Sequence, residues 1–107
     1  MRRTQERERA WESDEIEATG VGGRKRDGLA HWARTYLYRK QNSCCSECGW
    51  SKVHPVTGKV PLEINHIDGN RRNNWRKNIE LICPNCHSLT PTYRGLNQQR
   101  VRDKVRP

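Results

Sequence analysis

Two Cys-x-x-Cys pairs, Cys45-Ser-Glu-Cys48 followed by Gly49 and Cys83-Pro-Asn-Cys86, constrain this chain more than any other feature. A two-residue gap lets both sulfurs of one tight turn face a single ion, and thiolates are soft donors that hold Zn²⁺ at about 2.3 Å. Four of them close a tetrahedral shell with no open position. The expected role of Cys45, Cys48, Cys83 and Cys86 is therefore structural, with the ion's binding energy becoming folding energy. Gly49 suits the tight backbone just after the second ligand. Cys44 would make the first pair Cys-x-x-x-Cys and is expected to be a spare or buried thiol. The composition explains the need for such a staple: a chain of 107 residues with 32% hydrophobic side chains has room for one domain and little apolar surface to bury.

Charge divides the chain unevenly. The formal net charge is +9, from 21 Lys plus Arg against 12 Asp plus Glu. Residues 1–28 hold seven side chains of each sign, whereas 29–107 hold fourteen basic and five acidic ones. The expected organisation is a charged, flexible N-terminal extension over 1–28 and one domain over 29–107 with a basic C-terminal tail. A basic domain favours a polyanionic partner, nucleic acid first, and the composition argues against a small-molecule enzyme. No run of about 18 apolar residues offers a membrane span, and MRRTQERERAWE has no apolar segment behind it of the kind a secretory leader needs. The expectation is a soluble, intracellular chain, in whose reducing surroundings the cysteines bind metal and do not form disulfides.

Residues 2–18 are rich in helix formers, but Trp11 and Ile16 are the only large apolar residues there, too thin a stripe to anchor a helix. Thr19 to Gly28 reads as a glycine-rich linker in which Arg24, Lys25 and Arg26 are solvated or touch phosphate. From Leu29 the period changes. Leu29, Trp32, Ala33, Tyr36 and Leu37 form one face of a helix predicted to reach about Gln41, with Asp27 as N-cap and Trp32 and Tyr36 in the core. Val60 to Asn65 alternates as a short strand with Leu62 and Ile64 inward and Glu63 solvated on the other face. His66 ends it. Ile67-Asp68-Gly69-Asn70 is a turn, and Ile79 to Ile82 a second strand. Pro84 opens a helix that carries Cys86 and His87, the ring of His87 being free to turn from the zinc toward the first strand.

The stretch LEINHIDGNRRNNWRKNIELICPNCHSLTPTYRGLN, with its flanking knuckles, resembles the HNH endonucleases of phages and bacteria over about Cys45 to Asn97. An Asn-His pair, a later Asn before an aliphatic pair, and Cys-x-x-Cys-His in order carry the likeness. The resemblance implies an α+β class, a small zinc-stabilised ββα-metal (HNH, or His-Me finger) fold preceded by a helix, and metal-dependent hydrolysis of DNA phosphodiester bonds. It matches His66 to the general base, and Asn65 and His87 to the ligands of a catalytic divalent cation such as Mg²⁺, Mn²⁺ or Ni²⁺. Asn78 matches the middle Asn that holds the loop and the histidine in place, with Asn74 supporting the same loop. Many members carry Asp or His where this chain has Asn65, and a neutral amide oxygen is the weaker ligand. Asp68 is a rival ligand by position, although its place before Gly69 favours the turn.

Arg71, Arg72, Arg76 and Lys77, with Tyr93 and Arg94 after the last helix, are the expected DNA contacts, which position a phosphate backbone without reading its sequence. The resemblance further implies action in the cytoplasm of a bacterial host, as a monomer or homodimer, with room for a phage or restriction partner protein. The competing reading is a non-catalytic zinc module that binds nucleic acid, with His66 and His87 as bystanders. The ordered Asn65, His66, Asn78 and His87 weigh against it.

Overall fold

The computed structural model of the chain describes residues 4–20 and 28–92. In chain order its elements are α1 (Thr4–Glu12), α2 (His31–Lys40), β1 (Glu63–His66), a 3-10 turn (Arg76–Asn78), β2 (Ile79–Ile82) and α3 (Pro84–Ser88). The class is α+β. The strands form one antiparallel hairpin in which Glu63 faces Ile82, Asn65 faces Glu80 and His66 faces Ile79.

The first strand begins three residues later than the alternation from Val60 predicts. Pro61 has no N–H to offer a ladder. The carbonyls of Val60 and Leu62 instead accept the Tyr38 hydroxyl at 2.9 and 3.3 Å. Strand β2 falls where its apolar run predicts, with Ile79, Leu81 and Ile82 buried. Pro84 stands in the first turn of α3, whose N-cap is Cys83, and α3 lies against β1.

Helix α2 covers the predicted stretch, but its N-cap is Ala30, in an extended conformation and without a side-chain cap. Asp27, expected in that role, lies outside the described residues. Ala33 and Leu37 are buried, and Trp32 and Tyr36 pack half-buried on the same core.

The N-terminal residues depart from expectation. Residues 4–20 do not form a free extension: α1 is docked, and Trp11 is wholly buried among Ala18, Ala33, Leu37, Ile79 and Leu81. A broad apolar stripe is unnecessary because one indole brings so much area, about 150–250 Å² for a large aromatic side chain. Trp32 and Tyr36 meet it edge-on at 5.8 and 6.1 Å. Charge supplies the rest of the docking. Glu8 pairs with Arg39 at 2.6 Å, Glu12 with Arg76 at 3.0 Å and Asp14 with Lys77 at 3.1 Å. Thr19 bridges to Leu29, and the Gly20 N–H donates to the Gly28 carbonyl at 2.7 Å. A second, smaller cluster of Cys45, Ile82 and Cys83, with Trp50 and Leu62 against it, lies at the other end of the hairpin. Among the described residues no helix is long and apolar enough to cross a membrane.

Candidate active site

The thiols of Cys45, Cys48, Cys83 and Cys86 lie within 4.8 Å of one another. Cys48 Sγ and Cys83 Sγ are 3.7 Å apart, close to the edge of about 3.8 Å that a tetrahedron of sulfurs around Zn²⁺ requires. Each pair folds as a knuckle. The Cys48 N–H points at Cys45 Sγ at 3.5 Å, and the Cys86 N–H at Cys83 Sγ at 3.4 Å. Gly49 completes the first turn at φ +80°, the left-handed region that a side chain disfavours. Burial works against the Cys45 thiolate, but the backbone amides of Cys48, Cys83 and Glu47 outweigh it and bring its pKa down to about 6. The donor set fits a zinc ion. Cys44 stands outside it, its Sγ donating to the Asn42 carbonyl at 3.2 Å.

His66 ends β1, and its Nε2–H donates to Asn74 Oδ1 at 2.8 Å. A carbonyl-type oxygen can only accept, so the neutral ring carries its lone pair on Nδ1. Asn78 acts on the loop. Its Oδ1 accepts the Asp68 N–H at 2.9 Å, and its Nδ2 donates to Asp68 Oδ1 at 3.0 Å and to the Asn73 carbonyl at 2.9 Å. The histidine ring itself is held by Asn74. Asp68 takes the turn role: its carboxylate accepts Asn70 N–H and Asn73 Nδ2, both at 2.8 Å. Burial opposes the charge on Asp68, but these donors and Asn78 hold its carboxyl below the usual range. Gly69, at φ +81°, lets the chain reverse there.

Adjacent strand residues point to opposite faces, so Glu63 and Asn65 share one face of β1 and His66 turns to the other. The ring of His87 does reach the first strand, where its Nδ1 meets Glu63 Oε1 at 2.6 Å. Glu63 is thus a hydrogen-bond partner of His87, where the sequence reading expected a solvated charge. Its position two residues before Asn65, on the same strand face, was the signal available. With Nδ1 engaged, Nε2 is the atom of the neutral ring that a cation would take. Asn65 is buried, and its Nδ2 donates to Glu80 Oε1 at 3.2 Å, leaving Oδ1 as its ligand atom. Burial pushes the Glu80 carboxyl up against that donor, and the neighbouring Glu47 carboxylate adds to the push.

The predicted DNA contacts separate in the structure. Arg71, Arg72 and Lys77 are exposed. Arg76 is a packing residue instead: its guanidinium lies 5.7 Å from the Trp11 ring centroid, pairs with Glu12 and donates to the Ile79 carbonyl at 3.1 Å. Tyr93 and Arg94 lie outside the described residues.

Among known proteins, the chain is 43% identical over 61 residues to the H-N-H endonuclease F-TflIV of Escherichia phage T5, a match covering 57% of this chain and 26% of that protein. It is 28% identical over 60 residues to the Zorya protein ZorE of Escherichia coli, covering 56% of this chain and 16% of that protein. The chain therefore spans about a quarter of the first relative's length and less of the second's. No family model matches the chain, and no solved structure gives a significant match. Over the matched 61 residues the chain is similar to an H-N-H endonuclease.

Proposed function

We propose that the chain is a metal-dependent HNH endonuclease unit that hydrolyses phosphodiester bonds in DNA, with His66 as general base. The observation that supports this best is the tethering of His66: with its Nε2–H given to Asn74, Nδ1 is the basic atom of the neutral ring. A neutral imidazole near pH 7 is suited to taking a proton from an attacking water. Water then adds at phosphorus as the bond to the leaving 3′ oxygen breaks, giving a 5′ phosphate and a 3′ hydroxyl.

Asn65 Oδ1 and His87 Nε2 are the atoms that would hold the catalytic Mg²⁺, Mn²⁺ or Ni²⁺. When bound, such a cation stabilises the charge that develops on the leaving oxygen. Glu63 fixes the tautomer and direction of His87. Asn78 holds the loop after β1, and the four cysteines hold the Zn²⁺ that fastens α3 to the hairpin. Arg71, Arg72 and Lys77, with Tyr93 and Arg94 beyond the described residues, would grip the phosphate backbone, so binding falls steeply with salt. On this reading the fold is of the ββα-metal type, the partner is DNA in a bacterial cytoplasm, and a monomer with one site nicks one strand.

Nicking of supercoiled plasmid with each cation, by the parent and by zinc-replete His66→Ala, tests the reading. Cation-dependent nicking that disappears with His66 supports it. Plasmid binding without cutting by both proteins would establish the non-catalytic zinc module instead.

A further inference from the structure

We infer that Asn74 is a positioning residue for His66, and that the N-terminal segment from Trp11 to Thr19 holds Asn74 to that task. What His66 does rests on the nuclease reading above; how it is held does not.

Asn74 is wholly buried, and four of its hydrogen bonds are made with that one segment. Its carbonyl accepts the Trp11 indole N–H at 2.8 Å and the Ala18 N–H at 3.1 Å. Its own N–H donates to Glu17 Oε2 at 2.8 Å. Its Nδ2 donates to Thr19 Oγ1 at 3.3 Å, and its Oδ1 receives His66 Nε2–H at 2.8 Å. With Nδ2 on Thr19 and Oδ1 on the imidazole, Oδ1 accepts only from the Nε2–H tautomer, leaving Nδ1 as the proton acceptor. Without Oδ1 the ring is free to rotate and to exchange tautomers, and the rate contribution of a general base, about 10²–10⁴-fold, depends on that aim.

The docking of α1 acquires a purpose from this chain of contacts. The sequence segment farthest from the metal knuckles reaches the candidate base through one buried side chain, so the acidic N-terminal residues belong to the active site's support.

The test uses the zinc-loaded full chain carrying Asn74→Leu, Asn74→Asp or Thr19→Val. Nitrogen NMR of the His66 ring, recorded without DNA or added cation, reads the tautomer directly. The parent is expected to be Nε2–H. Asn74→Leu is expected to lose that preference and to lower the nicking kcat by about 10-fold or more with KM for plasmid little changed. Asn74→Asp keeps an acceptor and should retain the tautomer and most of the rate. Should Asn74→Leu fail to fold, Thr19→Val removes the hydroxyl that Nδ2 donates to, at a half-buried and nearly isosteric position, and is expected to weaken the same tautomer preference. A His66 tautomer unaltered in folded Asn74→Leu, or in Thr19→Val where the leucine variant does not fold, overturns the inference. A shifted tautomer in a protein that never cuts DNA leaves the inference standing and removes the nuclease reading.

Discussion

The two ends of the β1–β2 hairpin are held by opposite chemistry. Where β2 leaves the sheet, four thiols lie within 4.8 Å of one another, and the surrounding core cluster is Cys45, Ile82 and Cys83 with a few half-buried neighbours. Where the loop between the strands returns, Trp11 is sunk among α2 and β2, and carboxylates of the N-terminal residues clasp Arg39, Arg76 and Lys77. The first anchor is short-range in each half and has the donor set of a metal site. The second joins residues 63 positions apart and depends on packing and charge. The candidate ligand His87 hangs from the first anchor and the candidate base His66 from the second. Loss of either anchor should therefore damage a different member of the site.

The largest effect should come from the metal end. Structural zinc contributes about 10–16 kcal/mol in small zinc domains, comparable to the whole stability of a typical domain. Chelation, or Cys83→Ser, is expected to abolish cooperative thermal unfolding monitored by circular dichroism; a chelated protein that still melts cooperatively would show the aromatic end to be sufficient alone. Next comes Trp11→Ala, expected to cost about 3–5 kcal/mol in urea unfolding of the zinc-loaded protein while zinc content stays at one ion per chain. A cost below about 1 kcal/mol would mean that α1 merely rests on the domain.

Arg76→Met should cost about 1–2 kcal/mol in the same titration, between the values for exposed and buried pairs, because both partners are partly covered. Gly49→Ala is smaller still, about 1 kcal/mol: a Cβ there meets nothing within 4 Å, so the penalty is the left-handed backbone alone. The last test is alkaline. Burial first, then the hydrogen bond to Glu12, raises the Tyr36 pKa from 10.0 to about 12. A raised folded-state pKa gives stability that is complete below pH 10 and is lost as pH rises toward 12. Urea midpoints measured across that window should fall more for the parent than for Tyr36→Phe, and parallel curves would remove Tyr36 and Glu12 from the clasp.

Much of the metal end was legible in advance because its code is local. Cys-x-x-Cys spacing, Pro84 at a helix start and the apolar run of β2 each act within a few residues, and each appears where it was read. Asp68 in its turn is equally local. The N-terminal residues were misread for the opposite reason. A period-based reading looks for a stripe, whereas the N-terminal segment docks through one indole and a set of carboxylates whose nearest basic partner in sequence, Arg39, lies 31 residues from Glu8. Arg76 was grouped with its exposed neighbours for the same reason, since adjacent loop charges look alike until one is folded under Trp11.

By itself, the sequence determined the zinc-type donor set, the hairpin followed by a short helix, and the likeness to HNH endonucleases, all of which depend on residue type and short spacing. Only the tertiary structure decided that Glu63 meets His87, that Asn74 meets His66 and that the N-terminal segment surrounds Asn74. These pairings join residues brought together by packing, and the energy of a buried hydrogen bond depends on its partners being in reach, which no local pattern encodes.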